Sequence, residues 1–477
     1  MANKILKTKL QILNKISSGH KIFYAIIAAV FVLSRAIIYF LGVEFNYNKH
    51  LYQLLDSELL KDNFFQSLIY LHSQPPLFNF LFGLGEIIFN VFSKYFFNLI
   101  YLLIGLLSAF LSFSILIKLN INRIFSLFLI LFYVITPAVL LYENWFFYTY
   151  IIVFLMIFAT YNLLCFLEDE KYKHLNYYFL SLSLIALTSA FFHIIWLLIV
   201  ISVPIILRWQ NRTRIVKHAI IPILIVFSLY LKNFIIFNEF SASSWFGLNF
   251  ARITVKFIDK DKKNELISRD ILTQASKFNG FPKKDDIEKI KEIFPDNKKS
   301  GIKVLDQEIK RNGQINFNNK IFIKLSKDAL RDVIYIIRNY FTSYLRGISE
   351  AIFLYFKSPT DYIFLKNNRE NLFYYNKFFD SFLYGSSLFT KTGFVSIVLY
   401  PSIIILSFLV FYKEKNLLIR SFIIFSLINI LYVFSVSSLL EYGENNRFRF
   451  YTEIYFFMLL ALVISSIGFK IFQNNTR

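Results

Sequence analysis

Two carboxylates, an imidazole and an amide fall close together in the stretch LLDSELLKDNFFQSLIYLHSQPPLFNFLFGL, running from Leu54 to Leu84: Asp56, Glu58, His72 and Gln74. Carboxylates and imidazole exchange protons, and an amide both donates and accepts hydrogen bonds. Pro75 and Pro76 follow at once. Proline lacks an N–H and biases its predecessor away from the helical region, so a helix through Leu68, Ile69 and Tyr70 stops and a new element starts at Pro76. The four polar residues therefore ride on a folded-back segment at a membrane surface, where reactive groups concentrate. An ordinary polar loop between two helices is the plainer account of the same residues.

A second cluster lies near the C-terminus in SSLLEYGENNRFRFYTE, which carries Glu441, Glu444, Arg447, Arg449 and Glu453 just before an apolar run. Paired arginines at a membrane mouth suit a phosphate, because the guanidinium fork matches phosphate oxygens and keeps its charge. Stop-transfer anchoring is the simpler explanation, but Lys and Arg flanks are expected mainly on the inner side. Glu143, His193 and Trp245 are further polar or amphipathic positions at apolar-run ends.

The elements that position these groups follow from composition. With 56% hydrophobic and 19% aromatic residues, the chain reads as an all-α polytopic membrane protein. Its net charge of +21 is spread over loops and helix ends, with no compact basic domain, so no nucleic-acid partner is expected and anionic membrane lipids are. The single cysteine, Cys165, excludes an intramolecular disulfide and a thiolate zinc cluster. Lysines before Ile22 with no acidic residue put the N-terminus inside. The uncleaved first span, Ile22 to Gly42, then emerges outside, with Arg35 near its outer end snorkelling or supporting the loop fold.

The first external loop, 43–95, contains an interfacial helix from Pro76 to Phe92. Further spans are Phe96 to Ile117, Ile124 to Tyr142, Thr149 to Leu167, two short helices within Tyr177 to Leu207 breaking near Thr188 and His193, and Ile220 to Phe237. Residues 238–392 form a charged, mostly helical extracytoplasmic subdomain, in which Ala329 to Phe356 reads as an amphipathic surface helix. Phe394 to Tyr412, Leu417 to Val436 and Ile454 to Phe469 close a C-terminal module, 393–477, after an N-terminal module, 1–237. Ten spans with both ends inside satisfy the positive clusters, including Lys470 and Arg477.

In this order the chain resembles the GT-C superfamily of membrane glycosyltransferases, which includes protein O-mannosyltransferases and lipid A aminoarabinose transferases. The resemblance rests on Asp56 and Glu58 after the first span, Gln74-Pro75-Pro76-Leu77, and Arg447 with Arg449 in the last loop; Glu143 and Lys232 to Asn249 match more weakly. Residues Lys256 to Asn376 have no counterpart, and the adjacent Asp-Glu pair at the head of the loop is absent. The resemblance implies inverting transfer of a sugar from a polyprenyl-phosphate carrier to a lipid, glycan or protein acceptor, outside a bacterial-type inner membrane. Asp56 is then the expected base, with Glu58 and Glu143 behind it, and Arg447 and Arg449 hold the phosphate. His72, Gln74, His193 and Trp245 are expected to contact substrate. A divalent cation on Asp56, Glu58 and His72 is a further expectation without metal-specific spacing. A polysaccharide polymerase or ligase, or a lipid-linked sugar flippase, remains the alternative reading.

Overall fold

The computed structural model describes residues 2–295, 299–385 and 393–474; Arg477, an expected inner-side marker, lies outside them. Among the described residues the chain is helical, and its only bridges are Asn46 with Trp145 and Ile309 with Ile315. In chain order the first helices are α1 (Ala2–Phe40), α2 (Ser57–Asp62), α3 (Phe64–Ile69), α4 (Pro76–Phe89), α5 (Ser93–Lys118) and α6 (Arg123–Ile135). They continue as α7 (Pro137–Glu143), α8 (Tyr148–Asp169), α9 (Tyr172–Thr188), α10 (Ile194–Leu207), α11 (Arg212–Phe237) and α12 (Phe246–Ile253).

Six helical stretches are long and apolar enough to cross a membrane: Lys21–Phe40, Pro76–Lys118, Tyr148–Asp169, Trp209–Phe237, Val395–Lys413 and Leu417–Leu440. The pair α6 and α7, bent by 56° at Thr136-Pro137, makes a seventh if it counts as one span. The bend follows from Pro137, which cannot donate to the preceding turn. This is the architecture of a multi-pass membrane protein. α8 is its axis: 78% of its apolar window is buried, against 22% for Lys21–Phe40, Trp209–Phe237 and Val395–Lys413. Its internal polar groups are satisfied locally, Thr160 Oγ1 donating to Met156 O at 2.8 Å and Asn162 Nδ2 to Phe158 O at 2.8 Å. The shorter α9 and α10 pack beside α8 and the helix Leu417–Leu440.

The bundle has two chemically different ends. One holds the short charged turns, with Lys118 paired to Glu168 and Arg208 to Glu170. The other gathers the long connections of the described residues. There, Asn46 N donates to Asn144 O at 2.8 Å, Tyr142 OH to Pro359 O at 3.0 Å, and Phe191 stacks on Phe448 at 4.4 Å.

On that end sits a second, separate core built from Trp245, Leu248, Phe317, Phe322, Leu325 and Ile336, among others. The helix Ile321–Asn339 crosses α12 so closely that a Cβ on Gly247 would lie 1.9 Å from Ser326 O. The expected single surface helix over 329–356 is instead two. It breaks at Tyr340, and Phe341–Phe356 packs on the helices Leu417–Leu440 and Asn445–Phe450. The cause is legible in burial: Ala329, Val333 and Ile336 join the small core, while Tyr355 and Phe356 join the bundle core.

Candidate active site

Between the small core and the end of the bundle lies a cleft of about 830 Å³. Its bundle wall comprises the α9–α10 break at Ser189–Phe191, His193, Tyr148 and the segment from Tyr432 to Phe448. The opposite wall is Tyr52, Gln53, Gln74, residues 239–247, Asn249, Arg252, Lys256, Phe281 and the start of the helix Ile321–Asn339. Four cations line it (Arg252, Lys256, Lys327, Arg447) against three carboxylates (Glu239, Glu441, Glu444).

Glu441 sits one residue beyond the helix Leu417–Leu440. Arg252 Nη1 donates to its Oε1 at 3.0 Å and the Tyr442 N–H to the same oxygen at 3.1 Å, leaving Oε2 without a donor among the described residues. Burial pushes this carboxyl up to about 7, against the opposing pull of Arg252. Glu444 is different: burial works in the same sense, but the Arg447 guanidinium holds it below the usual carboxylate range. Arg447 gives Nε and Nη2 to Glu444 and Nη1 to Thr149 Oγ1 and Tyr451 OH, both at 3.1 Å. One Nη2 hydrogen has no acceptor among the described residues. Lys256 lies 4.4 Å from the Tyr442 ring centroid and makes no ion pair among the described residues.

Of the residues singled out from sequence, Gln74, His193, Trp245 and Arg447 meet in this cleft. His193 caps α10, Nδ1 accepting from Ile195 N at 3.3 Å. Trp245 Nε1 donates to Phe317 O at 3.3 Å.

The other candidates lie elsewhere. Asp56 caps α2, accepting from Glu58 N at 3.0 Å, and its second oxygen takes Gln307 Nε2 at 3.1 Å and Arg311 N at 2.6 Å. It is 4% exposed and does not line the cleft. Glu58 stands at the surface, its side chain 42% exposed and 3.5 Å from Arg311. Glu143 is gripped by Arg35 Nε and Nη2, each at 2.8 Å, and by Tyr150 OH at 3.0 Å. Arg35 thus supports the bundle, and Gly105 makes room: a Cβ there would lie 2.2 Å from Glu143 Oε2.

His72 is fully spent, Nδ1 accepting from Ser244 Oγ at 2.7 Å and Nε2 donating to Asn318 O at 2.9 Å. Burial lowers it to about 3, so it stays neutral. Arg449 points into the core, with Nε 3.3 Å from Glu453 and Nη1 2.7 Å from Tyr355 O. Residues two apart on a helix do not share a face, which separates it from Arg447. Among the described residues no three His, Cys, Asp or Glu side chains converge as metal ligands, so Asp56, Glu58 and His72 form no such set.

These spent residues have a shared effect. Asp56, His72 and Lys310, whose Nζ donates to Leu54 O at 2.5 Å and Leu51 O at 3.2 Å, fasten the first loop to the small core and hold Tyr52, Gln53 and Gln74 on the cleft.

Sequence reasoning missed Arg252 and Lys256, and did not place Glu441 among the site residues. Their signals were the four-residue spacing of Arg252 and Lys256, and an acid directly after an apolar helix. No protein-family model, curated protein or solved structure matches the chain.

Proposed function

We propose that the chain is an integral-membrane glycosyltransferase that moves a sugar from a polyprenyl-phosphate carrier to an acceptor hydroxyl at the outer face of the membrane, with inversion. One observation carries the reading: Glu441, a carboxylate with one oxygen lacking a donor among the described residues, and Arg447 stand on the bundle wall and meet Arg252 and Lys256 from the opposite wall, and the bundle wall continues onto the apolar side chains Val436 and Leu440. A lipid phosphate needs such a junction of cation and apolar surface.

In this reading ten helical elements cross the bilayer: α1, α5, the α6–α7 pair, α8, α9, α10, α11, Phe394–Lys413, Leu417–Leu440 and Glu453–Asn474. Lys118, Arg123, Arg208, Arg212, Lys413 and Lys415 then mark the cytoplasmic end, and the cleft faces outward.

Glu441, not Asp56, Glu58 or Glu143, is the base proposed here. A carboxyl titrating near 7 is matched to taking the acceptor proton at neutral pH. As the anomeric C–O bond breaks, charge grows on the leaving phosphate, and Lys256 with the spare N–H of Arg447 stabilises it. Glu444 offsets much of the Arg447 charge, so Lys256 supplies most of the net attraction. A transporter would want ionisable groups along the bundle interior; Arg35 with Glu143 and Arg449 with Glu453, both buried there, are each paired with one another.

The test is purified protein incubated with a panel of radiolabelled polyprenyl-phosphate sugars. Expected is loss of label from one carrier to an acceptor or to water, with free polyprenyl phosphate appearing. Passage of intact carrier across vesicle membranes, with no sugar released from any member, would overturn the reading in favour of a flippase.

A further inference from the structure

We propose, building on the transferase reading, that the acceptor is a neutral glycan held on the outer wall of the cleft, over Tyr52, Trp245 and Phe281 and between the amides of Gln53, Gln74 and Asn249. The three rings gather round Phe317, with centroids 5.2 Å (Tyr52), 5.6 Å (Trp245) and 5.3 Å (Phe281) from it. Arg252 lies 6.0 Å from the Phe281 ring and 3.0 Å from Glu441. The aromatic wall therefore begins one guanidinium away from the proposed base, and it is contributed by elements other than those carrying Arg447.

That placement suits the acceptor better than the donor. In an inverting displacement the acceptor oxygen enters opposite the departing phosphate, and the base must stand on the acceptor's side. The side-chain amides of Gln53, Gln74 and Asn249 line the cleft and make no hydrogen bond among the described residues. An uncharged group that both donates and accepts matches a sugar hydroxyl, which does the same. Aromatic faces, negative at the centre, match the C–H faces of a sugar ring. An acidic acceptor would instead be drawn to Lys256 and Arg447, where it would compete with the carrier phosphate. The step balances: the glycan hydroxyl oxygen bonds to the anomeric carbon, the C–O bond to phosphate breaks with its electron pair kept by the phosphate, and the proton passes to Glu441.

The experiment feeds radiolabelled polyprenyl-phosphate sugars to membranes of cells in which the protein is native, and to the same membranes carrying Glu441→Gln. Release of polyprenyl phosphate reads the transferase function by itself; if none depends on Glu441, that reading falls and this one with it. Where it does depend, the label is divided among protease-released peptides, organic-solvent extract and protease-resistant aqueous carbohydrate. Label in the carbohydrate is expected; label in peptide or in the lipid extract would overturn the glycan assignment while leaving the transferase intact. With that carbohydrate as acceptor, Gln74→Ala and Asn249→Ala should each raise its KM about three- to tenfold, more than they lower kcat. Unchanged KM in both variants would remove the proposed subsite.

Discussion

Glu441, just past the helix Leu417–Leu440, and Arg447, on the helix Asn445–Phe450, stand six positions apart, yet their surroundings assign them opposite tasks. Glu441 keeps one oxygen free and is pushed up to about 7 by burial. A base must be deprotonated to act, so transfer should rise with pH, about tenfold per unit below 7, and level off above it. A rate flat between pH 5 and 8 would exclude Glu441 as the titrating group.

Arg447 and Arg449 should diverge when each is replaced by Ala. Loss of Arg447 removes a buried guanidinium whose charge Glu444 largely offsets, Glu444 itself keeping 20% side-chain exposure, and should weaken carrier use by about one decade, from roughly 1.5 kcal/mol. Loss of Arg449 strands Glu453 in the core, where an unpaired charge costs about 3 to 5 kcal/mol, so the expected phenotype is failure to purify as a monodisperse species. Carrier affinities measured by titration, beside gel-filtration profiles, separate the two. The arginine pair was legible as a pair; its division between cleft and core was not drawn, although the spacing of two already implied it. Asp56 is the reverse case, since an Asp before Ser-Glu-Leu-Leu is an N-cap pattern readable without coordinates.

At the scale of elements, the Pro-Pro break, the two short helices meeting at His193, and the charged turns at one end were all readable from periodicity and breakers. The pairing of Arg252 with Glu441 was not, because it joins segments 189 residues apart. Nor was the break at Tyr340, which is set by the switch of packing partners from the small core to the bundle. With 329–356 folded as two packed helices, the described residues between α11 and Phe394–Lys413 gather at one end of the bundle. Single cysteines at Glu44, Ser300 and Lys366, in a Cys165→Ser background, should all react with an impermeant thiol reagent in intact cells. Cysteines at Lys171 and Lys415 should react only after permeabilisation. Reaction at 300 without reaction at 366 would mean that 329–356 crosses the membrane and that the cleft is wrongly assembled.

At the scale of the whole molecule, the bundle supplies Glu441, Arg447 and an apolar wall, the segment around the small core supplies Arg252, Lys256, Trp245 and Phe281, and the first loop, pinned between them, supplies Tyr52, Gln53 and Gln74. The acidic residues that looked catalytic in sequence, Asp56 and Glu143, hold this arrangement together by capping a helix and pairing with Arg35. Among the cleft carboxylates, Glu441 is the one that burial pushes up to about 7, whereas Arg447 holds Glu444 below the usual carboxylate range. The most direct measurement is therefore polyprenyl-phosphate release per mole of monodisperse protein for Glu441→Gln and Asp56→Asn, side by side with the parent chain. Glu441→Gln should lose about 10² to 10⁴-fold in rate with carrier affinity little changed, while Asp56→Asn, which disturbs three hydrogen bonds, should lose about 1 to 3 kcal/mol of stability and keep its turnover per folded molecule. Normal turnover by Glu441→Gln, with Asp56→Asn inactive though folded, would contradict the account and return the base to the first loop.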